Sequence, residues 1–369
     1  MNQRQKFHNL DICSHGGVFS ISKNQRRLLK LDFSSNINPL GISNHVIKNI
    51  SNNIKSLSSI YPDPKCIDLK KALLAYIKTE INENWITVGN GGTELIHNFV
   101  AALGLKKPII IIPTFCEYEL ACQKNNIEIN SINLSNDFKL NTDQIIENSK
   151  KSDAIFLCNP NNPTGLLSTK AIKKIIDNVE PSTLIFIDES FIEFVSNFKH
   201  ESFLSVISQF KNLLILRSMT KSFGLAGLRL GYLIANPKIT RKIQNYQISW
   251  NVNGLAQEAG ILALQDTQHL KQANMIVRKE RIMIFNEINK KLKNFVPFKS
   301  DANFYLIRIK KITSNQLRSI LLNKYNILVR NCNTFRGMES KNMIRVAVKN
   351  KNENLVLLKA LKEIDNHIL

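Results

Sequence analysis

A lysine placed among hydroxyl residues is the feature of this sequence with the clearest chemistry. Ser218, Thr220 and Lys221 follow the apolar run 213–216, and Arg229 lies eight residues beyond the lysine. A lysine amine condenses with aldehydes, and hydroxyls beside a fixed positive charge bind phosphate. The segment therefore predicts a Schiff-base lysine next to an anion site, as pyridoxal 5'-phosphate (PLP) requires. A solvated loop of the same composition is the alternative interpretation.

Two upstream segments have the same construction, an apolar run that ends in polar residues. Residues 153–158 lead towards Asn162, and residues 183–187 lead directly into Asp188. Each run is typical of a buried parallel strand, and ligands of open α/β sheets bind outside the carboxyl ends of the strands. We therefore expect Asn162, Asp188 and Lys221 to converge on one pocket. At ~4 Å an aspartate stabilises a protonated pyridine nitrogen by about 4 kcal/mol. A turn-rich loop and a helix N-cap are the alternative interpretations.

A glycine-rich turn at residues 89–94 precedes an apolar, helix-like run. Glycines such as Gly92 let the backbone approach an anion, and Thr93 at a helix start would add its hydroxyl and the helix dipole. The turn therefore predicts a second contribution to phosphate binding. Its spacing is not that of a dinucleotide-binding fingerprint, and an ordinary turn is the alternative.

Taken together, these segments resemble the fold-type I PLP enzymes of the aspartate aminotransferase superfamily, in the histidinol-phosphate aminotransferase branch. Within that branch the chain is most similar to the decarboxylases of O-phospho-L-threonine in cobalamin biosynthesis. That closer similarity is carried by residues 15–17 with 31–41, residues 224–232 (GLAGLRLGY), residues 250–253 and residues 327–330. It covers nearly the whole chain and implies an α/β fold, with a mainly parallel sheet in a large domain and a smaller α/β domain.

Alternating strand-like and helix-like runs agree with that organisation. Strands are predicted at residues 108–112, 127–134, 154–158, 184–187, 213–216, 232–235, 304–309, 327–330 and 344–348. Residues 253–294 have a helical pattern that leads out of the large domain. We predict a large PLP-binding domain at 42–285 and a small domain made of residues 1–41 and 286–369.

The resemblance assigns cofactor contacts to individual residues. Lys221 would form the Schiff base, Asp188 would pair with the pyridine nitrogen, and Asn162 would contact the ring oxygen. The cofactor phosphate would be held by Ser218, Thr220, Arg229, Gly92 and Thr93. Phe115 matches the aromatic residue that stacks on the ring, and Tyr61 matches a tyrosine lent by the other subunit of a homodimer. Core and turn positions are the alternatives for these two aromatic residues.

The same resemblance places a phosphorylated amino acid in the substrate site. Arg345 matches the arginine that binds the α-carboxylate, and Arg330 would bind the substrate phosphate with His15 and Asn36. On pattern alone both arginines could be exposed members of alternating strands. Phe191 departs from most aminotransferases, which carry a tyrosine there that hydrogen-bonds the ring oxygen.

The implied reaction is decarboxylation of O-phospho-L-threonine to (R)-1-amino-2-propanol O-2-phosphate. Histidinol-phosphate transamination is the alternative reaction. O-phospho-L-serine is the alternative substrate, because one methyl group contributes only about 1–3 kcal/mol to discrimination.

Length and composition agree with a cytoplasmic enzyme. The chain has 369 residues with 43% hydrophobic content, enough for a substantial core. The six cysteines, among them Cys13 and Cys116, have no metal-ligand spacing, so we expect reduced thiols and no metal site. No apolar signal segment opens the sequence, and no run reaches the ~18 apolar residues of a membrane span.

A formal net charge of +21 favours the rival class of nucleic-acid-binding proteins. The lysines are spread along the chain, without a basic tail or a recognised DNA- or RNA-binding motif. A basic field also attracts anionic, phosphorylated substrates. We therefore expect neither nucleic acid nor a membrane as a partner.

Overall fold

The computed structural model describes residues 15–367. Its strands are β1 (Leu31–Asp32), β2 (Ile86–Gly89), β3 (Ile109–Ile112), β4 (Asn130–Asn133), β5 (Ala154–Cys158), β6 (Leu184–Asp188), β7 (Leu213–Ser218), β8 (Gly231–Ala235), β9 (Phe295–Pro297), β10 (Phe304–Ile309), β11 (Ile327–Leu328), β12 (Arg330–Asn331) and β13 (Met343–Ala347). Its α-helices are α1 (Lys23–Leu28), α2 (Asn44–Ser59), α3 (Ile67–Ile77), α4 (Gly91–Leu103), α5 (Glu117–Lys124), α6 (Thr142–Ser149), α7 (Thr169–Asn178), α8 (Phe198–Glu201), α9 (Pro237–Gln244), α10 (Gly254–Gln265), α11 (Thr267–Lys291), α12 (Ser314–Tyr325) and α13 (Lys351–His367).

Short, buried aliphatic runs form a seven-stranded central sheet in the order β2-β8-β7-β6-β5-β3-β4. The strands from β4 to β7 are parallel neighbours, whereas β8 pairs antiparallel with both β7 and β2. Strands buried on both faces read as continuous apolar runs, as the four isoleucines of β3 do. The predicted mainly parallel α/β sheet is therefore confirmed.

Parallel pairing gathers the chemically interesting strand ends at one edge of this sheet. Cys158 is the register partner of Asp188, and Asp188 is the register partner of Leu216. The residues that follow β5, β6 and β7 consequently leave the sheet side by side.

A second, four-stranded antiparallel sheet has the order β12-β13-β10-β9, and β1 pairs with β11 in a separate parallel ribbon. That ribbon joins the N-terminal segment to the C-terminal third of the chain. The composition of the small domain stays a prediction, and its residues 1–14 and 368–369 lie outside the described part. The division at residues 42 and 285 stays a prediction.

Several local predictions differ from the structure. Strands β1, β2 and β9 were missed, because short runs that include polar, glycine or proline residues give no clear apolar or alternating signal. The run 327–330 is divided between β11 and β12, which belong to different sheets. The helical region 253–294 is interrupted at Asp266, whose side chain accepts the backbone N–H of His269 at 3.1 Å and caps α11.

Within residues 15–367, no helix combines the length and apolar character needed to cross a membrane. Cys66, Cys122, Cys158 and Cys332 are free thiols, as expected, whereas Cys116 is disulfide-bonded. The expectation of reduced thiols is therefore wrong for Cys116, because spacing along the chain does not reveal which sulfurs approach each other in space. Cys13 lies outside the described residues.

Candidate active site

A cavity of about 340 Å³ lies at the carboxyl edge of the central sheet, beside β12 and β13. It brings together nearly all the residues that the sequence singled out. Those lining it are His15, Asn36, Gly92, Thr93, Phe115, Asn162, Asp188, Ser218, Thr220, Lys221, Arg229, Arg330 and Arg345. Tyr61 is not among them. Its side chain is 81% exposed and lies against Trp250, with 4.9 Å between the ring centroids.

Lys221 follows β7 in a short turn whose backbone carbonyls accept two hydrogen bonds from Asn38. Its carbonyl oxygen accepts the Asn38 N–H at 3.0 Å, and the Asn38 side chain donates to the carbonyl of Ser222 at 2.8 Å. Burial, with the positive charges of Arg345 and Arg229, lowers the pKa of the Lys221 amine to about 8. About a tenth of the amine is therefore neutral at pH 7, far more than for an exposed lysine, and the neutral amine is the nucleophile.

Asp188 ends β6 as a buried carboxylate facing the same cavity. It accepts hydrogen bonds from Tyr118 Oη at 2.6 Å and from the Ser190 N–H at 2.9 Å. Burial raises the pKa of Asp188, while these hydrogen bonds and the Lys221 charge oppose the increase. Tyr118 was not predicted, since nothing in the sequence of α5 indicates that its hydroxyl reaches a residue 70 positions away.

The start of α4 and the turn after β7 together form a candidate anion site. Gly91 has φ +80°, and a Cβ there would lie 2.6 Å from Arg229 Nη2, so the guanidinium occupies the space a side chain would take. Ser218 Oγ and Thr220 Oγ1 are 2.7 Å apart. Two hydroxyls, a guanidinium and a helix N-terminus are a suitable donor set for the PLP phosphate.

Arg330 and Arg345 are direct cross-strand partners in the β12–β13 pair, and both are buried. Arg345 Nη2 donates to the Ser34 carbonyl at 2.9 Å, and Nη1 donates to Asn162 Oδ1. Arg330 Nη2 donates to Thr334 Oγ1 at 2.8 Å. Burial lowers the pKa of Arg345 to about 10 and also lowers that of Arg330. Like charges directly opposite each other destabilise a sheet, so this pair suits a ligand that carries two anionic groups.

A buried glutamate that was not predicted lies beside this wall of the cavity. Glu117 Oε1 is 2.8 Å from His15 Nε2, and its Oε2 is 2.9 Å from His97 Nε2. Phe191 also lines the cavity and packs edge-on against Phe304, with ring centroids 5.0 Å apart. As the sequence indicated, it brings no hydroxyl to the site.

A buried ion cluster lies next to the ends of β6 and β7. Arg217 donates to Glu189 Oε2 at 2.8 Å and to Glu193 Oε1 at 2.6 Å. Because side chains alternate along strands, Glu189 and Arg217 face away from their neighbours Asp188 and Ser218. The cluster therefore ties β6 to β7 without entering the cavity.

A lysine of lowered pKa, a buried carboxylate and a phosphate-binding turn around one cavity are what a PLP enzyme needs, so fold and site define that class. The chain belongs to the aminotransferase class I and II family, whose family model matches residues 29–361. This family is PLP-dependent, which confirms the expected cofactor and the fold type.

Relatives named for two different reactions match this chain at similar identity. The chain is 33% identical to the threonine-phosphate decarboxylase of Salmonella typhimurium, over 95% of this chain and 96% of that one. It is 31% identical to a histidinol-phosphate aminotransferase of Methanocaldococcus jannaschii, over 90% and 89%. The crystal structure of the histidinol-phosphate aminotransferase from Clostridium acetobutylicum superposes with a TM-score of 0.85 at 35% identity, over 92% of this chain and 100% of that one.

Proposed function

We propose that this protein decarboxylates O-phospho-L-threonine to (R)-1-amino-2-propanol O-2-phosphate and carbon dioxide, as a step of cobalamin biosynthesis. The observation that carries the proposal is the buried cross-strand pair of Arg330 and Arg345 on the wall of the cavity that contains Lys221. O-phospho-L-threonine presents a carboxylate and a phosphate at opposite ends of a short molecule. Two buried guanidiniums on one wall of the cavity match those two anions.

Each side chain has a separate task in this reaction. Arg345 grips the α-carboxylate, while Arg330, with His15 and Asn36, grips the phosphate. Bound PLP supplies the sink for the electron pair that is released when the Cα–carboxylate bond breaks. By fixing the carboxylate and the phosphate, the two arginines determine which bond of Cα is aligned for cleavage.

Asp188 provides a negative charge for that step, and Lys221 transfers a proton. Asp188 holds a fixed negative charge, oriented by Tyr118 Oη, at the place where the resemblance puts the pyridine nitrogen. Lys221 Nζ, whose pKa is lowered to about 8, can carry a proton to Cα after the carboxylate has left. An ordered water is the alternative donor for that proton.

Histidinol-phosphate transamination is the second candidate, and it is supported by relatives of similar identity. Histidinol phosphate has a phosphate but no carboxylate, so Arg345 would then serve only the amino acceptor. O-phospho-L-serine is the alternative substrate for decarboxylation.

A panel of substrates tests the proposal. Purified holoenzyme is incubated separately with O-phospho-L-threonine, O-phospho-L-serine and L-threonine, and with histidinol phosphate plus 2-oxoglutarate. We expect the highest kcat/KM for O-phospho-L-threonine. Faster turnover of histidinol phosphate, with formation of glutamate, would instead establish the aminotransferase.

The proposed enzyme is a homodimer in which Tyr61 enters the partner's cavity. An apolar surface supports this arrangement, because Ile60, Tyr61, Ile248 and Trp250 are 67%, 81%, 76% and 49% exposed. Exposed aromatic and aliphatic residues in one patch are typical of protein interfaces.

A further inference from the structure

Glu117 is a buried carboxylate held between two imidazoles, and the proposed reaction as described gives it no role. It is the first residue of α5 and is 5% exposed. Its Oε1 is 2.8 Å from His15 Nε2, and its Oε2 is 2.9 Å from His97 Nε2. Each carboxylate oxygen thus has its own imidazole partner.

The protonation state of Glu117 decides which ring nitrogens carry hydrogen. Burial by itself would raise the pKa of the carboxyl, but the hydrogen bonds of His15 and His97 outweigh burial and lower the pKa to about 2. Glu117 is therefore ionised at neutral pH and only accepts hydrogen bonds. Both imidazoles must consequently carry their hydrogen on Nε2.

His15 is the imidazole that lines the cavity, together with Arg330 and Phe335. Its ring centroid lies 5.9 Å from that of Phe115, and its side chain is 51% exposed. Packing on one side cannot fix the rotation of a ring that is half exposed. The hydrogen bond to Glu117 supplies that constraint, and it leaves Nδ1 as the ring nitrogen that can meet a ligand.

We propose that Glu117 is a positioning residue for the substrate phosphate, which holds His15 with Nε2–H towards the carboxylate and Nδ1 towards the phosphate. The inference rests on the proposed function, because it takes the ligand beside Arg330 to be a phosphate. An imidazolium Nδ1–H donates to a dianionic phosphate, and a neutral Nδ1 accepts from a monoanionic one. One proton is shared in either case, so the contact is a charge-assisted or strong hydrogen bond.

His97 completes the arrangement from α4, the helix whose first turn borders the cofactor-phosphate site. By occupying Oε2 it stops the carboxylate from turning away from His15. We therefore expect His97 to affect phosphate binding indirectly, and less than Glu117 does.

The test uses holoenzyme carrying Glu117→Gln or His97→Gln, with Glu119→Gln as the matched control. Glu119 lies on the same helix, but its Oε1 pairs with Arg336 Nη1 at 2.6 Å. KM and kcat are measured for O-phospho-L-threonine and for L-threonine. Glu117→Gln should raise the KM of the phosphorylated substrate roughly tenfold with little change in kcat, the scale of one charge-assisted hydrogen bond. His97→Gln should have a smaller effect in the same direction, and Glu119→Gln should have none.

A spectroscopic measurement keeps the inference testable apart from turnover. In holoenzyme with 15N-labelled histidine, neutral His15 and His97 should both show the Nε2–H tautomer with an Nε2–H proton protected from exchange, and Glu117→Leu, which has no acceptor oxygen, should remove this protection at His15. Unchanged protection of the His15 Nε2–H in Glu117→Leu, or a KM increase that is equal for both substrates, would overturn the inference. If the wild-type enzyme does not turn over O-phospho-L-threonine at all, the proposed function fails instead, and the tautomer measurement still reports on Glu117.

Discussion

At the scale of single residues, the lowered pKa of the Lys221 amine results from burial and from two positive neighbours. Burial is the main cause that lowers the pKa of its amine to about 8, and Arg345 and Arg229 act in the same direction. The hydroxyls around Lys221 identify it in the sequence as the candidate Schiff-base lysine. The lowered pKa depends mainly on burial and partly on Arg345, which only the fold brings near.

The first prediction follows from that pKa. Below about pH 8 the amine of Lys221 is mostly protonated and does not attack an aldehyde, so covalent attachment of PLP to apoenzyme should accelerate as pH rises through about 8. Arg345→Gln removes a positive neighbour and should move the midpoint to higher pH. Borohydride reduction followed by peptide mapping measures the label at Lys221. A midpoint that is unchanged in Arg345→Gln, or a label on another lysine, would refute the role assigned to Lys221.

The second prediction separates the two arginines. Arg330→Gln should weaken O-phospho-L-threonine binding by roughly 2–5 kcal/mol, the scale for removing one partner of a buried charge pair. L-threonine and the absorbance of the bound cofactor should be almost unaffected. Arg308→Gln, at an exposed arginine of β10 that lies over Phe298, is the control. An equal loss of turnover for both substrates would mean that Arg330 is structural.

Other parts of the site cannot be predicted from the sequence. Lys221, Asp188 and Asn162 were recognised because each follows an apolar strand, a local signal. Tyr118, Glu117 and His97 lie in or near helices, and their roles arise from hydrogen bonds to residues 20 to 102 positions away. No local pattern distinguishes them from ordinary core or surface residues.

At the scale of elements, the shape of the cavity depends on the distance between the first turn of α4 and the residues after β7. Arg229 itself has φ +61°, and its guanidinium fills the space beside Gly91. Backbone in this left-handed region is costly for residues with a Cβ, by about 1–2 kcal/mol. The cost at Arg229 is consistent with a conformation that the phosphate-binding site requires.

The third prediction uses two glycines of the same helix. Gly91→Ala should displace the Arg229 guanidinium, because the new Cβ would lie 2.6 Å from Nη2, and PLP affinity should fall at least tenfold. Gly104→Ala at the C-cap has a similar backbone strain, with φ +60° and open space around the new Cβ. Both variants should lose about 1–2 kcal/mol of unfolding free energy. Only Gly91→Ala should lose cofactor affinity in a fluorescence titration; equal PLP affinities would contradict the role given to Arg229.

Strand positions were predictable and strand pairing was not. Apolar runs located β5 at its observed ends and β6 and β7 within two residues. The antiparallel insertion of β8 between β2 and β7 depends on contacts across more than a hundred residues, which periodicity does not contain. The division of residues 327–330 also escaped prediction, although it sets the register that places Arg330 opposite Arg345.

At the scale of the whole molecule, the exposed patch around Tyr61 and Trp250 gives the proposed dimer its test. In our account, Tyr61 serves the cavity of the partner, so a Lys221→Ala protomer can lend Tyr61 to a Tyr61→Ala protomer. Each such mixed dimer contains one complete site.

The fourth prediction is therefore complementation between two inactive variants. Lys221→Ala and Tyr61→Ala should each have little activity alone, while co-refolded mixtures should recover roughly a quarter of the wild-type sites if the subunits associate at random. Analytical ultracentrifugation should show dimers in all samples. Absence of recovery in mixed dimers would mean that Tyr61 does not act across the interface.

The fate of the substrate carboxylate tests the central claim most directly. Holoenzyme is given O-phospho-L-threonine labelled with 13C in the carboxyl group, in the presence of 2-oxoglutarate. We predict one equivalent of labelled carbon dioxide for each substrate consumed, an amine product that keeps its phosphate, and no glutamate. Retention of the label in a 2-oxo acid, with matching formation of glutamate, would contradict the account and identify the enzyme as an aminotransferase.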